Sequence, residues 1–320
     1  MIFDILFTVL GAALVLKGAD MLTDGSVALA RRFAIPELVI GLTVVAFGTS
    51  LPEFVVSMLS SLSGAAAMGI GNVVGSNLFN TLMIVGVTAI VAPIAVQKST
   101  IYKDIPFSLL ASLMLTALAI DAFFGTAGSQ NLLSRGDGIV LLGFFAVFMA
   151  YTFSIARGGG DDSSSTDDKE PAMSGLKITL FILLGLAGLI GGGELFVRGA
   201  TGIARELGVS EAVIGLTLVA GGTSLPELAT SIIAARKGRS GMAIGNVIGS
   251  NLFNIFWILG ACSCVAPMPV QGITPLDFLM LIISGLLFWL FSRTQHRIIR
   301  WEGCCLVAVY VAYLAWLLNS

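Results

Sequence analysis

The chain of 320 residues contains much of its own sequence twice. When the second half is moved back by 174 positions, the two halves match without a gap from about position 18 to position 96. Thirteen of fifteen residues agree between 39–53 and 213–227, and nine of ten agree between 71–80 and 245–254. This agreement is far above chance, so the halves are a duplication, and the fold of one half constrains the fold of the other.

The composition places the duplicated chain in a membrane. Hydrophobic residues make up 56% of it and charged residues 11%, against roughly 25% charged residues in a soluble domain. This excludes a water-soluble globule, a disordered chain and a disulfide scaffold, and the net charge of −2 offers no basic surface to nucleic acid. The expected partner is the lipid bilayer. Apolar runs of about 20 residues predict ten transmembrane helices, at 2–30, 38–61, 67–92, 105–121, 136–156, 176–204, 212–235, 241–265, 275–291 and 301–318.

Each half contains five of these spans. Because five is odd, the second half must enter the membrane from the side opposite to the first, which predicts an inverted duplication, the architecture of secondary transporters. The expected fold class is all-α, a polytopic membrane protein whose ten transmembrane helices form two inverted five-helix repeats. The repeats cover 1–156 and 174–320, and the stretch 157–173, rich in glycine, serine and acidic residues, is interpreted as a flexible linker.

The basic residues predict the orientation independently. Thirteen lie in loops on one side of the predicted membrane and three on the other, and the positive-inside rule assigns the richer side to the cytoplasm. Both termini are then expected outside and the linker inside, in the plasma membrane of a prokaryote. The thirteen are Arg31, Arg32, Lys98, Lys103, Arg157, Lys169, Lys177, Arg236, Lys237, Arg239, Arg293, Arg297 and Arg300, and the three are Arg135, Arg198 and Arg205.

Three pairs of acidic residues obey the offset of 174, and two of them have ordinary interpretations. Glu37 and Glu211 lie at span starts, where solvent or a helix N-terminus stabilises a carboxylate. Asp20 and Glu194 lie in the second halves of their spans, with Lys17 one turn from Asp20. We interpret Asp20 and Glu194 as having a structural ion-pair or interfacial role, with Lys17 as the ion-pair partner of Asp20.

The third pair, Glu53 and Glu227, lies deep in the predicted membrane. Each is about fifteen residues into an apolar run, roughly 22 Å along a helix and past the midplane of a ~30 Å hydrocarbon core. A carboxylate at this depth costs at least ~2.5 kcal/mol. The surrounding residues must therefore compensate the charge.

The residues before each glutamate predict a broken helix. Pro52 has no N–H to donate to the carbonyl of Gly48, and the second repeat has the same arrangement. One half-helix should end near 46–48, and another should begin with Ser50 as N-cap and Pro52 in its first turn. The freed carbonyls attract cations, the N-terminus of the second half-helix keeps Glu53 ionised, and irregular backbone at this depth must line a cavity.

The third and eighth spans add neutral oxygen donors. Side chains spaced four apart lie along one helical face in each repeat, namely Asn72, Ser76 and Asn80, and Asn246, Ser250 and Asn254. Four glycines should let these faces approach their neighbours closely: Gly71, Gly75, Gly245 and Gly249. Asn77 and Asn251 lie off this face, and we interpret them as interhelical hydrogen-bonding residues.

All of these donors are oxygens, from carboxylates, hydroxyls, side-chain amides and backbone carbonyls. With no histidine or cysteine among them, the set favours a hard cation such as Ca²⁺ or Na⁺ over a soft metal. Two carboxylates balance one Ca²⁺ or two Na⁺. A site able to hold either, but not both, would produce antiport by competition.

With these motifs the sequence resembles the calcium/cation antiporter superfamily, and within it the prokaryotic type of sodium/calcium exchanger. The two copies of Gly-Thr-Ser-Leu-Pro-Glu and of Gly-Asn-Val-x-Gly-Ser-Asn resemble the family's two α-repeats, and the ten-span arrangement covers the whole chain. The resemblance implies a secondary active antiporter, not an enzyme, that exchanges Ca²⁺ for Na⁺ by alternating access and needs no cofactor.

The resemblance also implies a ligand set. Ca²⁺ would be held by Glu53 and Glu227 with the backbone carbonyls of Thr49 and Thr223. Asn254 departs from the family pattern, because many exchangers have Asp there, and the missing charge leaves Na⁺ stoichiometry, K⁺ co-transport and Ca²⁺ selectivity open. Na⁺ sites around the same glutamates, with Asn80 beside them, would be built from Ala46, Ser50, Ser76, Ala220, Thr223, Ser224 and Ser250.

Three other functions are alternatives to this one. On the same fold, titration of Glu53 and Glu227 would couple the cation to H⁺, although the proton-coupled relatives carry a different pattern in these helices. A cation channel would lack obligatory exchange, whereas the inverted duplication favours alternating access. An intramembrane enzyme is disfavoured because the single histidine, His296, lies near a helix end, away from the symmetric centre.

Overall fold

The computed structural model describes residues 1–120, 131–157, 173–209 and 220–319, and of Ala220 it describes the backbone. Among these residues, eight helices are long and apolar enough to cross a membrane, and a bent pair of helices makes a ninth candidate. They correspond to the predicted spans except the seventh, whose first residues, like Glu211 and most of the linker, lie outside the described ranges. In chain order the helices are α1 (Ile2–Phe33), α2 (Glu37–Thr49), α3 (Leu51–Leu62), α4 (Ala66–Val91), α5 (Thr100–Ala119), α6 (Arg135–Arg157), α7 (Gly175–Glu206), α8 (Ala220–Gly222), α9 (Leu225–Arg236), α10 (Ser240–Val265), α11 (Pro275–Arg293) and α12 (Arg300–Leu317).

The chain divides into two compact units. The first comprises Met1–Thr49 and Ala150–Gly249, and the second comprises Ser50–Met149 and Ser250–Ser320. Each unit therefore contains segments from both halves of the duplicated sequence.

In the first unit, α1 and α7 pack backbone against backbone. A methyl group placed on Gly18 would lie 2.7 Å from the carbonyl oxygen of Gly185, and one on Gly192 would lie 2.9 Å from that of Gly11. Residues later in α1 contact residues earlier in α7, since Gly11 lies against Gly192 and Gly18 against Gly185. The two helices are therefore antiparallel. The glycines recur every seven residues and are related by the offset of 174: Gly11, Gly18 and Gly25 on α1, and Gly185, Gly192 and Gly199 on α7.

A group of ion pairs also lies in the first unit. The ammonium of Lys237, just after α9, is 2.5 Å from a carboxylate oxygen of Asp20 and 2.6 Å from one of Asp24, and Lys17 is 3.2 Å from Asp20. Burial opposes the charge on Lys237, but its hydrogen bonds to the two carboxylates outweigh burial and raise its pKa. The predicted Lys17–Asp20 ion pair is confirmed, whereas Glu194 is exposed.

Short strand pairs and aromatic packing connect distant segments of the second unit. β1 (Ile94–Ala95) pairs with β4 (Arg297–Ile298), and β2 (Leu132–Leu133) pairs with β3 (Met268–Pro269), both antiparallel. Between α6 and α10, the ring of Phe145 packs edge-on to Phe253 at 5.0 Å between centroids. His296 is exposed in the loop before β4.

The start of α11 is fastened by a carboxylate that also contacts α12. The backbone N–H and the hydroxyl of Thr274 donate to one oxygen of Asp277 at 2.6 and 2.9 Å, which caps the helix. The hydroxyl of Tyr313 donates to the other oxygen at 2.6 Å. The buried carboxylate of Asp277 therefore joins α11 and α12.

Candidate functional site

The helix of the first repeat breaks at Ser50, as the sequence predicts. α2 ends at Thr49, α3 begins at Leu51, and the helix axis bends by 47°. Ser50 is the N-cap residue of α3 and Pro52 lies in its first turn, although the Ser50 side chain makes no capping hydrogen bond. Glu53 therefore lies in the first turn of α3, where the helix dipole favours a carboxylate.

Glu53 is buried, with 1% of its surface exposed. Asn72 of α4 holds the turn that carries it, because its side-chain N–H donates to the backbone oxygen of Glu53 at 3.4 Å and to the Ser57 hydroxyl at 3.1 Å. The sequence predicted Asn72 as a member of the polar row, and the structure shows what it bonds.

The second repeat reproduces this arrangement. α9 begins with Ser224 as N-cap and Pro226 in its first turn, and Glu227 is fully buried. Asn246 donates to the backbone oxygen of Glu227 at 3.2 Å and to the Ser231 hydroxyl at 3.0 Å. Each of these residues follows its counterpart by 174 positions, so the duplication extends to individual side-chain hydrogen bonds.

Asn246 also contacts the first repeat, within the same unit. The hydroxyl of Thr49 lies 3.3 Å from the amide oxygen of Asn246 and 3.0 Å from the carbonyl oxygen of Val45. Both Thr49 and Asn246 are fully buried. A chain of hydrogen bonds thus runs from the end of α2 through Asn246 to the turn that carries Glu227.

The close approach predicted for the glycines of α10 is confirmed. A methyl group on Gly245 would lie 2.5 Å from the carbonyl oxygen of Leu38, and one on Gly249 would lie 2.7 Å from that of Leu42. For Gly71 and Gly75, no heavy atom of a described residue lies within 4 Å of such a methyl. The segment equivalent to Leu38 and Leu42 in the second repeat belongs to 210–219, outside the described ranges.

In the second unit, four asparagines form a network between α4 and α10. The Asn77 amide donates to the backbone oxygen of Asn251 at 3.2 Å, and the Asn254 amide donates to the side-chain oxygen of Asn77 at 2.9 Å. Asn80 donates to the side-chain oxygen of Asn251 at 3.2 Å, and Asn251 donates to the Thr81 hydroxyl at 2.9 Å. The interpretation of Asn77 and Asn251 as interhelical hydrogen-bonding residues is confirmed.

Asn80 and Asn254 lie in π-helical segments that the sequence analysis did not predict. These segments, Phe79–Ile84 and Phe253–Leu259, begin 174 positions apart. A π turn carries an extra residue and is common at functional sites. Both segments consist mostly of apolar residues, so side-chain periodicity gives no signal for the extra residue.

The predicted ligand residues are distributed over both units, and their roles as ligands remain a prediction. Most are buried, whereas Thr223 is half-buried. Within the described part of the chain, no group of three or more His, Cys, Asp or Glu side chains comes together. The first unit contains Ala46, Thr49, Thr223, Ser224 and Glu227, with Ala220 in backbone only, and the second contains Ser50, Glu53, Ser76, Asn80, Ser250 and Asn254.

Among the neutral side chains of this set, three carry a buried oxygen atom without a hydrogen-bond partner in the described structure. They are the hydroxyl oxygen of Ser76 and the amide oxygens of Asn80 and Asn254. Buried oxygens are normally satisfied, and those that are not require an explanation such as a bound ion. Their chemistry is that of neutral, hard donors, which suits alkali and alkaline-earth cations.

The chain is similar to known exchangers over nearly its whole length. It matches the family model described as sodium/calcium exchanger protein at residues 3–154 and 177–319, ranges that fall within the two predicted repeats. It is 33% identical to the sodium/calcium exchanger MaX1 of Methanosarcina acetivorans, with 97% of each chain covered. It is 34% identical to the putative antiporter CaxA of Alkalimonas amylolytica over the full length of both. A solved structure of the sodium-calcium exchanger NCX_Mj soaked with Na⁺ and Sr²⁺ superposes with a TM-score of 0.82, at 36% identity and 98% coverage of each chain.

Proposed function

The chain belongs to the sodium/calcium exchanger family, and from this premise we propose that it is a secondary active antiporter exchanging Ca²⁺ for Na⁺ by alternating access. It is an integral, multi-pass membrane protein and a transporter rather than an enzyme, as the sequence predicts. One observation carries the proposal. In each repeat a buried glutamate follows a proline in the first turn of a helix, and an asparagine bonds the glutamate's own backbone oxygen.

The two glutamates supply the charge that binds the transported ions. Glu53 and Glu227 hold Ca²⁺ together with the backbone carbonyls of Thr49 and Thr223, since Ca²⁺ takes six to eight oxygen ligands. Na⁺ binds around the same carboxylates and competes with Ca²⁺ for them. The Na⁺ ligands are Ala46, Ser50, Ser76, Ala220, Thr223, Ser224 and Ser250, with Asn80 and Asn254 beside them.

Alternating access follows from an inverted duplication of five helices per repeat. The antiparallel packing of α1 against α7, through glycines that obey the repeat offset, supports this inversion. Because the two backbones are in contact, α1 and α7 slide or tilt together, while the helices that carry Glu53, Glu227 and their asparagines hold the ions. The excess of basic residues on one side supports an orientation with both termini outside. The membrane of this proposal is the plasma membrane of a prokaryote.

The proposal is tested by Ca²⁺ uptake into liposomes containing the purified protein, under imposed Na⁺, K⁺ and H⁺ gradients in turn. Uptake should require an outward Na⁺ gradient. Uptake driven by a pH gradient alone would replace Na⁺ with H⁺ as the coupling ion, and rapid uptake without a counter-ion would indicate a channel. Equal uptake with and without the Na⁺ gradient contradicts Na⁺ coupling.

The role of the carboxylates is tested separately. Glu53→Gln and Glu227→Gln keep the size of the side chain but remove its charge, so each should abolish exchange. Glu194→Gln is the matched control, because Glu194 is an exposed carboxylate of the same repeat as Glu227. Retention of wild-type flux by Glu53→Gln would show that exchange does not require the negative charge of Glu53.

A further inference from the structure

The direction of the hydrogen bonds in the asparagine network of the second unit follows from the chemistry of the groups involved. A backbone carbonyl oxygen only accepts hydrogen bonds, so the group that Asn77 turns toward the backbone of Asn251 must be its NH₂. The amide oxygen of Asn77 then faces Asn254, 2.9 Å away. Since that oxygen also only accepts, Asn254 must turn its own NH₂ toward Asn77.

This orientation leaves the amide oxygen of Asn254 pointing away from Asn77. That oxygen is buried and has no hydrogen-bond partner in the described structure. Asn254 is 1% exposed, and Asn77 is also 1% exposed. Because both amides are buried, bulk water cannot replace a lost hydrogen-bond partner. If the Asn254 amide were reversed, its oxygen would lie 2.9 Å from the amide oxygen of Asn77, and neither oxygen could donate.

We propose that Asn77 is a positioning residue that orients the amide of Asn254 so that its carbonyl oxygen, and not its NH₂ group, faces a transported hard cation. This inference rests on the proposed function and deepens it. An NH₂ group carries partial positive charge and repels a cation, whereas the carbonyl oxygen is a neutral hard donor. Asn77 therefore sets the sign of the local field without touching the ion.

The counterpart in the other repeat is held less firmly. Asn80 donates to the amide oxygen of Asn251, whose NH₂ meets the hydroxyl of Thr81, a group that both donates and accepts. The residue equivalent to Thr81 in the second repeat is Ile255, which has no polar group. The orientation of Asn254 is thus fixed by a backbone carbonyl, and that of Asn80 only by a hydroxyl.

A double-mutant cycle tests the proposal through the apparent Na⁺ and Ca²⁺ affinities of exchange in liposomes. Asn254→Ala removes the oxygen and should weaken the apparent affinity about tenfold, the effect of one lost polar contact. Asn77→Leu frees the amide to reverse and should weaken it to a similar degree. Because Asn77 acts through Asn254, the double variant should be no weaker than Asn254→Ala alone.

Matched variants separate positioning from simple structural damage. Ser263→Ala also removes a buried polar group of α10. Among the described residues its hydroxyl bonds only carbonyls of its own helix turn, so the apparent affinity should be unchanged. In either protonation state Asn77→Asp keeps a carboxyl oxygen that can accept from the NH₂ group of Asn254. This variant should therefore keep the orientation of Asn254, and its apparent affinity should be no weaker than that of the wild type.

The outcomes distinguish the inference from the function beneath it. Absence of cation exchange in the wild-type protein overturns the proposed function. If the wild-type protein exchanges cations but the double variant loses as much apparent affinity as the two single variants multiplied together, only the role of Asn77 is overturned. The same holds if Asn77→Leu or Asn254→Ala keeps the wild-type apparent affinity. If Asn77→Leu does not fold, an apparent affinity of Asn77→Asp as weak as that of Asn254→Ala overturns the role on its own.

Discussion

The hydroxyl of Thr49 lies 3.3 Å from the amide oxygen of Asn246, so the last residue of α2 contacts the residue that holds the turn of Glu227. Thr43, earlier in the same helix, bonds the carbonyl oxygen of Val39 at 2.7 Å, a contact within its own helix. The two threonines thus share an intrahelical bond and differ in one contact between the repeats.

Thr49→Val should destabilise the protein more than Thr43→Val. The single hydroxyl proton of Thr49 is shared between the carbonyl oxygen of Val45 and the amide oxygen of Asn246. The first substitution removes it and leaves the buried amide oxygen of Asn246 without this donor, which costs about 1–3 kcal/mol. The second removes only a bond to the helix's own backbone and should change stability by less than about 0.5 kcal/mol. Thermal unfolding of both variants in one detergent gives the comparison, and equal shifts would contradict the importance of the contact.

The backbone contact of α1 with α7 predicts a position-specific effect of one methyl group. In Gly192→Ala the new methyl would lie 2.8 Å from the backbone nitrogen of Val15, and such overpacking costs about 1–3 kcal/mol. In Gly191→Ala, no heavy atom of a described residue lies within 4 Å of the methyl. The unfolding midpoint should fall for Gly192→Ala alone. A similar fall in both variants would point to helix flexibility rather than packing.

Pro52→Ala should make the protein more stable and less active. Alanine restores an N–H that can bond the carbonyl of Gly48 and continue the helix through the break, and a backbone hydrogen bond contributes about 0.5–1.5 kcal/mol. Closing the break removes the freed carbonyls that the proposed function requires. The unfolding midpoint should rise while Na⁺-driven Ca²⁺ uptake falls. Pro36→Ala, at the N-cap position of α2, serves as the control, and unchanged uptake by Pro52→Ala would separate the break from transport.

Two tyrosines of α12 allow a matched test of the carboxylate that joins α11 and α12. Tyr313→Phe deletes the hydrogen bond to Asp277, and a bond to a charged group contributes about 1.5–3 kcal/mol. Tyr310 packs its ring edge-on against Phe79, so Tyr310→Phe keeps that packing and should change stability by less than about 0.5 kcal/mol. Unfolding midpoints measure both, and a larger loss in Tyr310→Phe would be the contrary result.

The sequence predicted the features that depend on local chemistry. The lengths of the apolar runs predicted the described spans, and Pro52, four residues after Gly48, predicted the helix break at Ser50. The off-face position of Asn77 and Asn251 indicated their interhelical hydrogen bonds. Each of these follows from neighbours in the chain or from one helical face, and a single sequence records both.

Features that depend on pairing between distant segments were not predictable. The partner of Asn246 at Thr49 depends on how α2 meets α10, and no local pattern records that meeting. The π-helical segments around Asn80 and Asn254 insert one residue without any change in composition. The seven-residue recurrence of Gly18 and its equivalents was present in the sequence, but only the structure shows that α1 and α7 use it against each other.

The pairing of β1 with β4 sets an order on the assembly of the second unit during synthesis. Ile94 pairs with Ile298, about 200 residues later, and this unit also draws α11 and α12 from the end of the chain. At roughly 5–20 residues per second, the ribosome needs about 10–40 s to supply the second strand. The early helices of the unit must therefore remain in the bilayer for that time without their final neighbours, exposed to chaperones and proteases before any ion can bind.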